Sequence, residues 1–227
     1  DIAVIAKHLL QDFPEVTKYT SKPTALFSNT QIENPNLMLE GMPNYRSGVD
    51  GLRVSNSTKG GITFAASTTQ NGIHMITVVL GVEAVDGDPY ARFVATSSLM
   101  NYVVRTFVSS IVVKEGDPYG KSKATVMDGK SETVLAVAKK DFYIVEKQGS
   151  QAEPKIQFKS NQESFRAPVK SGTNLGKLHY TDPDKIGRGY LEDQEPTVDM
   201  VSGRTIEKSF FLKVWWNEFV RYVNEKL

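Results

Sequence analysis

The chain predicts an α+β segment, an antiparallel meander with helices, followed by an all-β sandwich-like domain and a C-terminal amphipathic helix. Three observations lead there. Apolar runs at Leu52–Val54, Ile62–Ala66 and Ile73–Leu80 are separated by polar, glycine-containing turns, which is the pattern of successive hairpins. From Ser109 onward, short apolar runs alternate with turn signals at the spacing of a sandwich or barrel. In Ser209–Leu227, bulky apolar residues return at helical spacing.

Composition narrows the classes. A length of 227 residues allows one or two domains, and 40% hydrophobic with 10% aromatic content supports packed cores. Lys+Arg 27 against Asp+Glu 26 leaves a net charge of +1, which argues against a nucleic-acid partner. The absence of cysteine removes disulfide scaffolds, thiol catalysis and thiolate metal sites. No apolar run is long enough for a conventional transmembrane helix.

Each element follows from its local pattern. Ile2, Ile5, Ala6, Leu9, Leu10 and Phe13 share one helical face, with Asp1 as N-cap and Pro14 ending the helix or opening a second turn. A helix that opens on the first residue is expected of a chain cut or processed from a longer protein. Glu15–Tyr45 reads as loop-rich, with one short strand at Thr24–Phe27. In the meander, Gln70-Asn71-Gly72 supplies a tight turn, and the apolar last strand is expected to be central. Asp88-Pro89 offers an N-cap and N1 proline for a helix running to about Phe107, with Phe93, Met100, Val104 and Phe107 facing the sheet.

Seven further strands are expected at Ile111–Val113, Ala124–Met127, Thr133–Val137, Phe142–Val145, Ile156–Phe158, Leu175–Tyr180 and Thr197–Val201. Turns between them fall at Asp128-Gly129, Gln148-Gly149-Ser150, Ser171-Gly172 and Asp182-Pro183. The division is therefore 1–108, 109–205 and 206–227. In the last helix Leu212, Trp215, Trp216, Phe219, Val220, Val223 and Leu227 share one face, with Lys213, Asn217, Arg221 and Asn224 on the other. Two readings stay open. The stripe packs on the β-domain as an ordinary core face, or it lies in a membrane interface, which the tryptophan pair favours.

The order of these segments resembles a known family. Gly48-Val49-Asp50-Gly51-Leu52, a three-residue slot, a polar turn and the strand ITFAAST are followed by NGIHMITVVLG and then by LMNYVVRTF. DGKSETV and FRAPVKSGTNLGKLHY continue the pattern into the β-domain. This resembles the serine D-alanyl-D-alanine carboxypeptidases, the low-molecular-mass penicillin-binding proteins. The resemblance implies a hydrolase that forms an acyl-enzyme on serine, trims peptidoglycan pentapeptide stems and is inhibited by β-lactams, without a metal or organic cofactor. It also implies a location on the extracytoplasmic face of the bacterial plasma membrane, held there by Phe210, Phe211, Leu212, Trp215, Trp216 and Phe219.

That chemistry requires S-x-x-K, S-x-N and K-T-G. No serine here has lysine three residues later or asparagine two residues later, so the nucleophile is expected upstream, in a missing N-terminal part of the same domain. No catalytic residue is assigned within the chain, which by itself is expected to be inactive. The K-T-G slot is occupied by Arg53-Val54-Ser55, followed by Asn56. These four are the candidate substrate-binding residues. Arg53 retains a positive charge for a peptide carboxylate, with different reach and fork geometry from lysine. Val54 lacks the threonine hydroxyl, a loss of about 0.5–1.5 kcal/mol. Ser55 adds a side chain where the family has glycine, and Asn56 offers its backbone N–H to an oxyanion. Ser57, Thr58 and Lys59 form a polar cluster that could compensate for Val54.

The altered slot keeps a second reading in play, a non-catalytic cell-wall binding or scaffold protein. A third, an adhesin-like β-module, leaves the N-terminal helix and meander unexplained. His8, His74 and His179 have no metal-ligand spacing, and Asn56-Ser57-Thr58 is a common triplet rather than a functional sequon. Lys139-Lys140, Asp182 and Asp184 read as solvated turn charges.

Overall fold

The computed structural model describes residues 1–83, 88, 90–182, 184–187, 189–193 and 195–226. The chain forms two compact units, Asp1–Ser109 with Val145–Gln148, and Ser110–Ile144 with Gly149–Leu227.

In the first unit, helix α1 (Ile2–Asp12) starts at Asp1 without a side-chain cap bond. Pro14–Val16 forms a 3-10 turn that leads into α2 (Thr17–Thr20). Only Ala6 and Leu10 of α1 are buried, so its apolar face is wider than the stripe it buries. Strand β1 (Thr24–Phe27) occupies the expected span and pairs antiparallel with β2 (Thr30–Glu33), which falls inside the stretch read as loop. The meander consists of β3 (Val49–Ser57), β4 (Gly61–Gln70) and β5 (Ile73–Val82), ordered β3-β4-β5. Asn71 and Gly72 both take positive φ, 51° and 73°, which lets a two-residue turn join Gln70 to its partner Ile73.

Two expectations need correction. Among the described residues the last strand, β5, lies at an edge of this sheet and β4 is central. Apolar residues occur on both faces of β5 because both α1 and α3 (Ala91–Thr106) pack against it. The N-cap of α3 is Tyr90 rather than Asp88. The Asp88 carboxylate instead accepts a hydrogen bond from the Tyr90 N–H at 2.8 Å, and Pro89 lies outside the described residues. α3 ends at Thr106, and Phe107 opens the next strand while still joining the core under the sheet. Phe64 of β4 meets Phe93 of α3 edge-on at 5.4 Å in that core.

In the second unit all seven expected strands form, within β6 (Phe107–Val113), β7 (Pro118–Met127), β8 (Thr133–Ala138), β9 (Phe142–Lys147), β10 (Lys155–Ser160), β12 (Asn174–Thr181) and β13 (Thr197–Ser202). β11 (Phe165–Arg166) is an addition that pairs parallel with β7. The six-stranded sheet runs β10-β12-β13-β8-β7-β11, and β6 pairs with β9. Val113, Phe142 and Ile144 share a core with inward residues of the six-stranded sheet such as Leu178 and Met200, the two-layered arrangement of a sandwich. The turn at Asp182-Pro183 extends onto Pro183, outside the described residues. Helix α4 (Phe211–Lys226) closes the chain.

Candidate active site

Strand β3 carries the four slot residues. Among the described residues it pairs with β4 along one edge, leaving the other edge open. Helix α2 is pressed against its beginning. The Thr20 hydroxyl donates to the Asp50 carbonyl at 2.6 Å, and a Cβ on Gly51 would come 2.6 Å from Thr20 Oγ1. Only glycine permits that approach. Beside the open edge lies a groove of about 310 Å³, lined by Thr20, Lys22, Glu33, Arg53 and Val54 among others.

The slot residues diverge in environment. Arg53 is exposed, and among the described residues no carboxylate lies within ion-pair distance of it. Val54 is half-buried and packs against the core beneath α3. Ser55 is half-buried, and its carbonyl accepts from the Thr63 hydroxyl at 3.2 Å. Asn56 is exposed near the end of β3, paired with Ile62, and Ser57 Oγ beyond it accepts from the Gly60 N–H at 2.8 Å and so closes the turn.

Arg92 is the residue that sequence reasoning missed. It sits in the first turn of α3, only 5% exposed. Its Nη1 donates to the Ser55 carbonyl at 3.1 Å and to the Thr63 carbonyl at 3.3 Å, and its Nη2 donates to Asn56 Oδ1. Burial lowers its pKa, though not enough to discharge a guanidinium. One helix side chain thus fixes the end of β3 and its junction with β4. A signal existed: Arg92, Thr96 and Met100 fall at i, i+4 and i+8, so the arginine occupies a core-facing position.

The histidines do not form a centre. His74 Nε2 lies 2.9 Å from the buried Ser67 Oγ, and His8 lies 3.9 Å from Asp12 on the surface of α1. His179 belongs to the second unit.

The C-terminal candidates form a separate surface. Phe210, Phe211, Leu212, Trp215, Trp216 and Phe219 are between 48% and 67% exposed, so the β-domain does not bury the stripe. Trp215 stacks on Phe219 at 6.0 Å, and Trp216 approaches the same ring at 6.0 Å. The polar side of α4 faces the β-domain instead. Lys213 reaches Glu132 at 3.8 Å, and Asn217 donates to Asp128 Oδ1 at 3.5 Å. Asp128 is buried and also accepts, through its carbonyl, the Ser209 N–H at 2.8 Å. The side chains of Arg221 and Asn224, and Leu227, lie outside the described residues. No described helix is long and apolar enough to cross a membrane.

Comparison with known proteins accounts for both units. Residues 1–84 match the D-alanyl-D-alanine carboxypeptidase family model, and residues 107–208 match that of the penicillin-binding protein 5 C-terminal domain. The chain is 27% identical over 181 residues to D-alanyl-D-alanine carboxypeptidase DacA of Haemophilus influenzae, covering 79% of this chain and 44% of that protein. It is 24% identical over 215 residues to DacC of Escherichia coli, covering 95% and 50%. It therefore spans about half the length of these relatives. Among solved structures, the peptidoglycan synthesis regulatory factor PBP3 of Streptococcus pneumoniae aligns with a TM-score of 0.86 and 42% identity, over 91% of this chain and 56% of that one. Penicillin-binding protein 5 of Haemophilus influenzae shares the fold, with a TM-score of 0.61 at 24% identity over 91% and 55%. Over these spans the chain is similar, in order, to the D-alanyl-D-alanine carboxypeptidases and to the C-terminal domain of penicillin-binding protein 5.

Proposed function

We propose that this chain is the later portion of a D-alanyl-D-alanine carboxypeptidase whose nucleophilic serine lies in a part of the protein outside residues 1–227. The observation that carries this reading is the open edge of β3, with Arg53 exposed beside a groove and the family's strand order around it. An extended stem peptide would add to that edge by main-chain hydrogen bonds. Arg53 would meet its terminal carboxylate, and the Asn56 N–H would stabilise the tetrahedral oxyanion. The serine would attack the penultimate D-alanine carbonyl, expel terminal D-alanine and form an ester that water then hydrolyses. β-Lactams would acylate the same serine. The chain alone lacks S-x-x-K and S-x-N and so does no chemistry.

The exposed aromatic side of α4 would lie in the membrane interface, on the extracytoplasmic face where stem peptides are found. Fluorescent-penicillin labelling tests the enzyme reading. The full-length protein should label and residues 1–227 alone should not; a folded full-length protein that carries S-x-x-K and fails to label overturns it. The second reading, a non-catalytic wall-binding homologue, is favoured by one feature. Val54 has no hydroxyl to offer a substrate, and its half-buried side chain packs against the core.

A further inference from the structure

We propose that the solvent face of the six-stranded sheet in the second unit binds an extended polyanion of phosphodiester-linked polyol units. The surface is independent of the β3 groove and of the carboxypeptidase reading.

The sheet's inward side is defined by Phe158, Leu178, Val198, Ala136 and Ala124, so residues one position away face outward. On that outward side Lys159 of β10 stands opposite Lys177 of β12. Like charges directly across a strand pair destabilise it. Lys177 stands opposite Asp199 of β13, which Lys139 reaches at 4.0 Å. The band continues into a groove of about 460 Å³, lined by Lys123, Leu135, Val137 and Arg204 among others. Seven cations (Lys121, Lys123, Lys139, Lys155, Lys159, Lys177, Arg204) thus share the face with the strand carboxylate Asp199. At the margins, Glu195 reaches Lys185 at 3.9 Å, and Glu115, Asp117 and Asp141 stand on the turns beside Gly116 together with Lys114 and Lys140. The uncancelled field is felt locally: after burial itself, Lys159 and Lys177 hold the pKa of His179 down, against Glu195.

The shape selects the ligand. From β10 to β7 is four strand spacings, ~19 Å, too far for one phosphate to bridge. Charges so spread suit a repeating anion. Leu135 and Val137, at the floor of the groove, suit a carbon skeleton between phosphates. The outward residues carry no Phe, Tyr or Trp on which bases would stack, which disfavours single-stranded nucleic acid.

The test is fluorescence anisotropy of a labelled oligo(glycerol phosphate) titrated with residues 1–227. Binding should weaken roughly 30–50-fold between 50 and 200 mM salt if about four phosphates are neutralised. Lys159→Glu with Lys177→Glu, and separately Lys123→Glu with Arg204→Glu, should each weaken it at least about tenfold. Lys114→Glu with Lys140→Glu, the same charge change on the margin, should stay within about twofold. All three pairs are exposed, and circular dichroism verifies that they fold. Competition by inorganic phosphate should require far higher concentrations than by unlabelled polymer. Absence of binding overturns the proposal, as do equal effects of the three pairs, equal potency of inorganic phosphate, tighter binding of single-stranded DNA of equal charge, or binding of phosphatidylglycerol vesicles in place of the polymer.

Discussion

Arg92→Ala would remove a buried cation that holds three acceptors in two strands. Hydrogen bonds to a charged donor contribute about 1.5–3 kcal/mol each, but these losses are not fully additive. The Ser55 carbonyl keeps the Thr63 hydroxyl, and Asn56 is exposed enough to recruit water. The Thr63 carbonyl loses its Arg92 donor, and the guanidinium no longer lies over the Phe93 ring. The expected net loss is about 2–4 kcal/mol. Arg92→Lys keeps the charge, yet an ammonium lacks the fork that reaches Ser55, Thr63 and Asn56 together, so it should recover less than half. Urea unfolding of residues 1–227 measures the loss, and amide hydrogen exchange locates it. Protection should fall first at the end of β3 and the start of β4. A loss below about 0.5 kcal/mol with unchanged exchange at Ser55–Thr63 would refute the assignment of Arg92 as the residue that positions the slot.

Other predictions concern single contacts. Gly51→Ala forces a Cβ to 2.6 Å from Thr20 Oγ1 and should cost about 1–3 kcal/mol, read as a lower urea midpoint; an unchanged midpoint contradicts the close approach of α2. Replacing Trp215, Trp216 and Phe219 by serine should reduce partition into lipid vesicles at least about a hundredfold and abolish the blue shift of indole fluorescence, and unchanged partition rejects the interfacial role of α4. His179 has its pKa lowered by burial, then by Lys159 and Lys177. Its contribution to stability is therefore complete above the unfolded value of about 6.5 and is lost as pH falls through the lower folded value. His179→Gln should flatten the difference in urea midpoint between pH 7.5 and pH 5, and an identical difference in both proteins contradicts this.

The architecture was legible where pattern and burial coincide. Asn71-Gly72 marked its turn because positive φ at two successive residues is rarely satisfied by other pairs. The strands of the second unit showed because one side of each is buried, as in the alternation of Thr133–Ala138. Strand β2 was invisible for the opposite reason: all four residues of Thr30–Glu33 are exposed, so no periodicity exists to read. The position of β5 was misjudged because its apolar faces report the helices packed on them, and face burial does not say how many strands flank its edges. At the site, Arg53–Asn56 could be located from the segments on either side. Arg92 carried only its core-facing spacing as a signal, and a charged residue there looks like an interruption of the stripe until its acceptors on β3 and β4 are known. The exposure of the α4 aromatics was likewise undecided in the sequence, since an amphipathic pattern does not say which side packs.

The most direct test of the central account is mass-spectrometric mapping of the penicillin adduct in the full-length protein. One acyl adduct is expected on a serine followed three residues later by lysine, in a peptide outside residues 1–227, and none on the isolated chain. An adduct within residues 1–227, or none on the folded full-length protein, would contradict it.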